Sequence, residues 1–342
     1  MTTGHGGTRS GNSVDQVEWT DISDLRPEVP LRDMPLPQRI RRVARWGLGR
    51  AASTAGRRAI RRRLAFILAR SVTPIVAVQI AGERYLVSTH DRAIGATAFS
   101  EGEFDLDVME FALGLIEERT GHGLRGRTFV DVGANVGTAT IPALARFGAA
   151  RAVAVEPAPE NVKLLRCNLI SNGLEDRVIT VNAALSDTVG TGTLEYGRTN
   201  WGDHRLRSAT SGTPARYDES SREVSQVDVV TLDSLVEAGT IDLASVGVVW
   251  VDTQGHEGQV LAGARSVVAA NVPVVIEYWP YGLRRANGLE LLHDVVRDHY
   301  RMVVDLRASL GREEIVRVPA DAVGRLEGVY TGTSYTDLLL VT

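Results

Sequence analysis

Apolar runs and amphipathic stretches alternate through the last two thirds of the chain. Short β-branched runs predict strands, and longer stretches with apolar residues every three or four positions predict helices. This alternation is typical of an α/β fold with a doubly wound, mostly parallel sheet, in which ligand-binding residues lie at the carboxyl ends of strands. The predicted strands lie near 128–132, 152–156, 178–182, 247–252 and 273–278, and the predicted helices near 138–147, 159–172, 257–270 and 287–299. Two late runs, Met302–Asp305 and Asp337–Val341, predict further strands, the last of them antiparallel.

The patterns divide the chain into four parts. The first part is rich in small and polar residues without an apolar period, and it predicts a disordered lead-in. A basic helical extension follows it. The third part contains a β-hairpin around Ala81 and Gly82 and a helix from Phe104 to Arg119, which we expect to cap the ligand site of the fourth and largest part. The predicted boundaries are 1–37, 38–72, 73–127 and 128–342.

Charge is distributed unevenly along the chain. Residues 39–70 contain eleven arginines and no acidic residue, and subtracting these charges from the chain's −4 leaves −15 for the remainder. An acidic main domain argues against a nucleic-acid substrate, because such binding depends on phosphate contacts. In the extension's second predicted helix, four apolar residues share one face: Ile60, Leu64, Ile67 and Leu68. Two interpretations stay open, namely peripheral contact with a membrane or protein through residues 39–70, and packing of this helix on the acidic domain.

Composition adds few constraints. The chain has 342 residues, of which 44% are hydrophobic and 23% charged, as in ordinary globular proteins. Cys167 is the single cysteine, which excludes internal disulfides and a thiolate metal cluster and fits a reducing compartment. No membrane span is predicted, since Arg70 and Pro74 interrupt the apolar run that begins at Leu64. We therefore expect a cytoplasmic protein, either free or peripheral at the inner face of the membrane.

A glycine-rich turn follows the predicted strand at 128–132. Gly133 and Gly137 allow close approach of a ligand, and the next predicted strand ends at Glu156, where α/β folds place an acid on ribose hydroxyls. The turn departs from the dinucleotide fingerprint at Asn135, where a glycine is required. Asp131, just ahead of the turn, would repel a pyrophosphate but suits the cationic amino and sulfonium groups of S-adenosylmethionine.

A second polar cluster stands at the end of the predicted strand at 247–252. Together with the glycine-rich turn it resembles the FkbM family of S-adenosylmethionine-dependent methyltransferases. The resemblance covers roughly residues 75 to 280, and its motifs occur in the family's order. They are Asp131-Val-Gly133-Ala-Asn135-Val-Gly137, Glu156-Pro157, Asn182-Ala-Ala-Leu-Ser186-Asp187, Thr231-Leu-Asp233-Ser-Leu235 and Asp252-Thr-Gln254-Gly255-His256-Glu257.

The resemblance implies a class I methyltransferase fold, Rossmann-like, with the N-terminal helices and hairpin as an extension. It also implies methyl transfer to a hydroxyl oxygen of a small-molecule, sugar, glycolipid or natural-product acceptor. Residue by residue, it implies that the methionine end of the cofactor is lined by four residues of the turn and that Glu156 holds the ribose. Asn182, Ala183 and Ala184 are implied to flank the adenine. The four turn residues are Asp131, Gly133, Asn135 and Gly137.

Methyl transfer to an alcohol needs alignment of the reacting atoms and a base for the hydroxyl proton. His256 beside Asp252 is the first candidate base and His204 the second, while Asp252 is a candidate to bind the acceptor or orient the histidine. Glu257 is expected to cap its helix and Glu277 to bind the acceptor.

Further expectations concern the acceptor pocket and metals. The pocket is expected to be built from residues 99–104, 198–210 and 277–285, with Trp201, Trp279 and Tyr281 as candidate walls. No catalytic metal is expected, because Asp252 has no second and third carboxylate nearby in the sequence.

Three other functions are consistent with parts of the pattern. One is a nicotinamide-dependent Rossmann oxidoreductase, which Asn135 and Asp131 disfavour. Another is a non-catalytic scaffold that acts through the basic N-terminal helices. The third and weakest is an RNA methyltransferase.

Overall fold

The computed structural model describes residues 20, 25, 54–100, 104, 106–208, 212–216 and 219–342. Its strands are β1 (Ile75–Ile80), β2 (Glu83–Ser88), β3 (Thr128–Val132), β4 (Arg151–Val155), β5 (Val178–Val181), β6 (Ala184–Leu185), β7 (Gly190–Glu195), β8 (Arg205–Leu206), β9 (Val224–Val230), β10 (Val246–Val251), β11 (Val274–Tyr278), β12 (Met302–Asp305), β13 (Val316–Pro319) and β14 (Thr336–Val341). Its α-helices are α1 (Thr54–Ala69), α2 (Ile94–Ser100), α3 (Leu106–Thr120), α4 (Thr140–Ala145), α5 (Pro159–Ser171), α6 (Leu232–Glu237), α7 (Glu257–Ala262), α8 (Arg265–Ala269), α9 (Pro280–Arg285), α10 (Leu289–His299), α11 (Leu306–Arg312) and α12 (Leu326–Val329).

Eight strands form the main sheet, in the order β13-β12-β14-β11-β10-β3-β4-β5. The five strands from β11 to β5 run parallel, and β14 is antiparallel to both of its neighbours. The prediction of a doubly wound, mostly parallel sheet with a late antiparallel strand is therefore confirmed. The chain proceeds outward from β3 in one direction and from β10 in the other. The crevice at the carboxyl ends of this adjacent pair is thus the topological switch point, where open α/β sheets bind ligands.

The central strands are apolar because both faces of the sheet are covered. All five residues of β3 are buried. Alternation along each strand sends Val130 and Val249 to the core on one face and Phe129 and Val248 to the core on the other.

A second sheet of four strands, in the order β6-β9-β7-β8, is built from the long segment between β5 and β10. Its two longest strands, β7 and β9, pair in antiparallel register. Residues of β6, β7 and β8 line the crevice at the switch point, so this sheet forms one wall of the site.

The predicted hairpin is confirmed as β1 and β2, which pair in antiparallel register around Ala81 and Gly82, both with positive φ. It is held on α5 by Asn168, whose side chain accepts from the backbone N–H of Leu86 and donates to its carbonyl. The hairpin thus packs against the main domain, and Ile94, just after it, is the residue of this part that reaches the crevice.

Two described residues of the first 37 make contacts with the main domain. The backbone N–H of Thr20 donates to the carbonyl of Arg317 over 3.0 Å, and Leu25 is buried in the core. The disordered lead-in at 1–37 stays a prediction, because the other residues of this segment lie outside the described residues. The first predicted helix of the basic extension lies outside the described residues, whereas the second is confirmed as α1. No described helix has the length and apolar character needed to cross a membrane.

Candidate active site

The turn between β3 and α4 is shaped by its contact with the end of β10. Gly133 has φ +89, and a Cβ atom there would lie 1.8 Å from the carbonyl oxygen of Asp252. Its N–H donates to the carbonyl of Val155 over 2.9 Å, so the turn is held by both neighbouring strands. Only glycine fits this position, since the two strand ends meet without room for a side chain.

Asn135 adopts the left-handed conformation, with φ +50, which supplies the turn that a glycine would otherwise provide. Its backbone N–H donates to Glu156 Oε2 over 2.9 Å. Its side-chain amide donates to the carbonyl of Trp201 over 3.1 Å. This asparagine therefore links the turn, the acid after β4 and the loop that covers them.

Glu156 is buried at the end of β4 and lines the crevice. Its Oε1 accepts from the N–H of Ala158 at 2.9 Å and from the Asn161 amide at 3.2 Å, while Oε2 accepts from Asn135 alone among the bonds of the described residues. Burial raises the pKa of Glu156 to about 7, against the lowering effect of these donors. Oε2 retains the capacity to accept another hydrogen bond.

Asp131 lies beneath the turn and is absent from the residues that line the crevice. It is almost fully buried, and it accepts a short hydrogen bond from the hydroxyl of Thr140 at the start of α4. Burial raises its pKa to about 7. Its position explains how the turn is anchored to α4; the direct cofactor contact implied by the family resemblance stays a prediction.

The crevice contains about 690 Å³ of empty space, counting the part open to solvent. The residues that line it include members of the glycine-rich turn and of the polar cluster after β10, which are far apart in the sequence. Among them are Gly133, Asn135, Glu156, Ala183, Ala184, His204, Asp252 and His256. Gly137 packs instead against Ile141 and Leu165. Asn182 is exposed and donates to the carbonyls of Glu156 and Pro157, so it supports the crevice from behind.

A loop from residue 197 to residue 204 covers the turn. The carbonyl of Trp201 accepts from Asn135 and, over 3.3 Å, from Asn161. On the other side, the backbone N–H of Trp201 donates to the buried Asp91 carboxylate over 3.4 Å, and the N–H of Arg92 donates to the carbonyl of Thr199 over 2.7 Å. The loop therefore connects the segment after the hairpin to the glycine-rich turn.

His256 lines the crevice at the start of α7 and belongs to a hydrogen-bonded chain. Its Nε2 lies 2.9 Å from the hydroxyl of Ser186, and that hydroxyl donates to Asp187 Oδ1 over 3.0 Å. Because the single hydroxyl proton goes to Asp187, Ser186 accepts from the histidine, and Nε2 carries the ring proton. Nδ1 is then unprotonated, and it has no hydrogen-bond partner among the described residues.

Burial lowers the pKa of His256 to about 4, against the opposing influence of Asp187. The ring is accordingly neutral near pH 7. An unprotonated ring nitrogen without a partner among the described residues, on a side chain that lines the crevice, is the form that a general base requires.

His204 also lines the crevice, but its hydrogen-bonded ring nitrogen is an acceptor, whereas that of His256 is a donor. Its Nδ1 accepts from the backbone N–H of Gly197 over 3.0 Å, which places the ring proton on Nε2. Burial, reinforced by the positive charge of Arg222, lowers the pKa of His204 to about 4. In this arrangement the remaining nitrogen is a donor, so His204 has no free lone pair with which to take a proton.

Three carboxylates meet beside the crevice. Oxygen atoms of Asp252, Glu257 and Glu277 all lie within 4.8 Å of one another. The sequence argument that Asp252 lacks carboxylate neighbours is therefore wrong, because adjacent strands and a turn bring them together. The absence of a catalytic metal stays a prediction without that support.

Hydrogen bonds hold this cluster together. The amide of Gln254 donates to Asp252 at 2.7 Å and to Glu277 at 2.9 Å. Glu257 accepts from the backbone N–H groups of residues 253 and 255, which precede α7, so its side chain holds the turn before the helix and does not make the expected helix cap. Burial and the neighbouring acids raise the pKa values of Glu257 and Glu277.

A model of the methyltransferase FkbM domain matches residues 131–296, just under half of the chain. This match confirms the resemblance that the motifs carry. The order of its strands, with antiparallel β14 inserted between β11 and β12, is that of the class I methyltransferase fold that the resemblance implies.

Solved structures similar to the chain include three methyltransferases of low sequence identity. An FkbM methyltransferase of Methylobacillus flagellatus is 16% identical with a TM-score of 0.37, covering 63% of this chain and 43% of that one. An O-methyltransferase of Bacillus cereus is 12% identical with a TM-score of 0.35, covering 74% and 99%. A tRNA methyltransferase of M. jannaschii is 10% identical with a TM-score of 0.37, covering 79% and 54%. The chain thus spans less than half of the Methylobacillus flagellatus protein, and a search of curated proteins finds no match.

A second cavity adjoins the crevice and contains about 360 Å³ of empty space, counting the part open to solvent. His256, Gln254, Thr253 and Leu206 line both cavities. The second is further lined by Arg205, Arg207, Ser208, Glu195 and Arg285. Its walls are polar and carry more positive than negative side chains.

The three aromatic residues expected as acceptor walls lie in different surroundings, and their role at the acceptor stays a prediction. Trp201 lines the crevice. Trp279 instead packs under the guanidinium of Arg205, 4.6 Å from the ring centre, and Tyr281 donates to Glu219 over 2.7 Å. Trp279 thus supports β8 through Arg205, and Tyr281 holds the segment that contains Glu219.

The sequence does not reveal the residues that position other groups of the site by hydrogen bonds. Ser186 and Asp187 belong to a motif that predicts no role for them, and Asp91 belongs to no motif. Ser186 contacts His256, 70 residues away along the chain, and Asp91 contacts Trp201, 110 residues away. No local pattern reports contacts of that kind.

Proposed function

We propose that this protein is an S-adenosylmethionine-dependent O-methyltransferase that acts on a hydroxyl group of a small-molecule, sugar or glycolipid acceptor. The observation that carries the proposal is the position of His256. Its ring lies at the junction of two cavities, and its Nδ1 has no partner in the described part of the chain. We assign the crevice to the cofactor and the second cavity, which is open to solvent, to the acceptor.

The residues of the crevice fit the proposed cofactor. Glu156 Oε2 has accepting capacity left for a ribose hydroxyl, and Ala183 and Ala184 offer an apolar surface for a purine ring. Asp252 lies across the crevice from them, at the end of β10. Its charge suits a cationic ligand better than a pyrophosphate.

The chemistry divides between cofactor and protein. Bound S-adenosylmethionine supplies a methyl group on positively charged sulfur, so the leaving group is already activated. The protein must align the acceptor oxygen and remove its proton. We assign proton removal to His256 Nδ1, since the Ser186 and Asp187 chain holds the ring in the required tautomer.

The second cavity favours a polar acceptor. Its walls present the hydroxyl of Ser208 and three arginines, each of which is paired with a carboxylate. Arg207 pairs with Glu195 over 2.6 Å, and Arg205 and Arg285 pair with Glu219 over 3.4 and 3.7 Å. Such a surface offers hydrogen bonds to a sugar or another polyhydroxyl compound, and it buries little apolar area. This supports a sugar or glycolipid headgroup over a purely apolar acceptor.

Cofactor choice is tested by calorimetry on the full chain with S-adenosylmethionine and with NADH. Saturable binding of S-adenosylmethionine is expected, and binding of NADH alone would refute the proposal. Turnover is then measured as S-adenosylhomocysteine release with a panel of sugar, phenol and glycolipid hydroxyl acceptors.

The base is tested with His256→Asn. We expect turnover to fall by about 10²- to 10⁴-fold, the range for loss of a general base, with cofactor affinity within about twofold of the parent. His299→Asn, an exposed histidine at the end of α10, is the matched control and should leave both values unchanged. Full turnover in His256→Asn, or a comparable loss in His204→Asn alone, would show that the assignment is wrong.

A further inference from the structure

Helix α1 (Thr54–Ala69) packs on the protein through one face. Phe66 on that face is only 3% exposed, and its ring centre lies 5.4 Å from that of Phe99 in α2. Ile94, the first residue of α2, lines the proposed cofactor crevice. A single helix therefore separates α1 from the site.

The face of α1 opposite Phe66 is apolar and exposed. Leu64 and Ile67 are each 58% exposed and Leu68 is 70% exposed, while Ile60 is 36% exposed. At about 100° per residue these four fall within an arc of roughly 100°, centred about 150° from Phe66. The exposed row continues beyond the helix through Val72 and Ile75. We call these six residues the apolar strip.

Exposure of this kind is unusual within a folded protein. Single exposed apolar residues are normal, but six large ones in a row along one helix and its extension form a contiguous patch. The earlier interpretation that α1 simply packs on the acidic domain accounts for Phe66 and leaves the strip unexplained.

Arginines flank the strip on both sides. By helical position, Arg63 lies next to one edge and Arg61 next to the other, and both are exposed. No acidic residue occurs between residues 39 and 82. An apolar row with cationic side chains on both edges matches the boundary of an anionic bilayer, where acyl chains meet negative headgroups and long arginine stems reach outward.

We propose that the apolar strip and its flanking arginines bind the surface of an anionic lipid bilayer, with α1 lying in the plane of the interface. The charge arrangement selects this occupant. A groove on a protein partner must cover the apolar row but has no need of cations along both edges. The proposal is independent of the methyl-transfer assignment, because no residue of the strip lines either cavity.

The test uses the full chain in flotation with vesicles of phosphatidylcholine, with and without 30% phosphatidylglycerol. We expect binding to the anionic vesicles to exceed binding to the neutral ones by about tenfold or more. The triple variant Leu64→Ser, Ile67→Ser, Leu68→Ser should lose this binding. Arg61→Glu with Arg63→Glu should remove the preference for anionic lipid.

A matched control replaces three apolar residues that are exposed elsewhere. Ile170, Ile179 and Val189 are 61%, 48% and 65% exposed, and their triple change to serine should leave vesicle binding intact. Thermal unfolding and S-adenosylmethionine calorimetry on every variant show separately whether fold and cofactor site are preserved.

Three outcomes would overturn the proposal. The parent chain fails to bind anionic vesicles, the strip variant binds as well as the parent, or the strip variant changes the oligomeric mass in solution while neither protein binds lipid. The last outcome would assign the strip to a protein interface instead.

Discussion

The contact between Gly133 and Asp252 joins the two halves of the site, and Gly133→Ala tests it. A Cβ atom at this position would lie 1.8 Å from the Asp252 carbonyl oxygen, whereas real Cβ contacts are not shorter than 3.0 Å. The end of β10 must therefore move by about 1.2 Å or the turn must open. Either response disturbs the hydrogen bond from the Asp252 N–H to the carbonyl of Val132, now 2.9 Å.

The expected cost has two parts. A side chain at φ +89 costs about 1–2 kcal/mol, and forcing an extra methyl group into a packed position costs about 1–3 kcal/mol more. Gly126→Ala is the matched control, because Gly126 has φ +75 but nothing within 4 Å of the added carbon. In the control, the free energy of unfolding should decrease only by the first of these costs, that of a side chain at positive φ.

Urea denaturation of both variants measures the difference, which we expect to be about 1–3 kcal/mol. Gly133→Ala should also weaken S-adenosylmethionine binding at least about tenfold, since Gly133 and Asp252 both line the crevice, while Gly126→Ala should not. Equal destabilisation by the two changes, or unaltered cofactor affinity in Gly133→Ala, would refute the reasoning.

Two further predictions concern Asn135 in the turn and His204 at the end of the covering loop. Asn135→Gly keeps the left-handed turn but removes the bond to the Trp201 carbonyl, so we expect faster proteolytic cleavage within residues 197–204 and weaker cofactor binding; unchanged cleavage would contradict the linking role. For His204, the pKa is about 4 in the folded protein and near 6.5 when unfolded, so the unfolded chain takes up a proton first as pH falls. The free energy of unfolding should therefore decrease by up to about 1.4 kcal/mol per unit between pH 6.5 and 4, with full stability above that window. In His204→Asn, the free energy of unfolding, measured by denaturation at a series of pH values, should change less steeply with pH over this range. An identical slope would exclude a lowered pKa of His204 as the cause.

The sequence predicts an element most accurately when the cause of that element is a property of the local residues. The central strands were located within about one residue because each is a short apolar run covered on both faces. The predicted helix at 257–270 is divided into α7 and α8 around Gly263, where a Cβ atom would lie 2.2 Å from the Ser186 carbonyl oxygen. That interruption depends on a contact from another part of the chain.

The sequence by itself determined the fold class, the glycine-rich turn and the polar cluster after β10, because periodicity, glycine and strand-end residues are local properties. Only the tertiary structure decided what each side chain does. It joined His256 to Ser186 and Asp187, turned Asp131 toward Thr140, and gathered Asp252, Glu257 and Glu277. It also left the apolar strip of α1 exposed. Hydrogen-bond direction, burial and pKa depend on which distant groups come together, and the packing of helices and strands alone sets those distances.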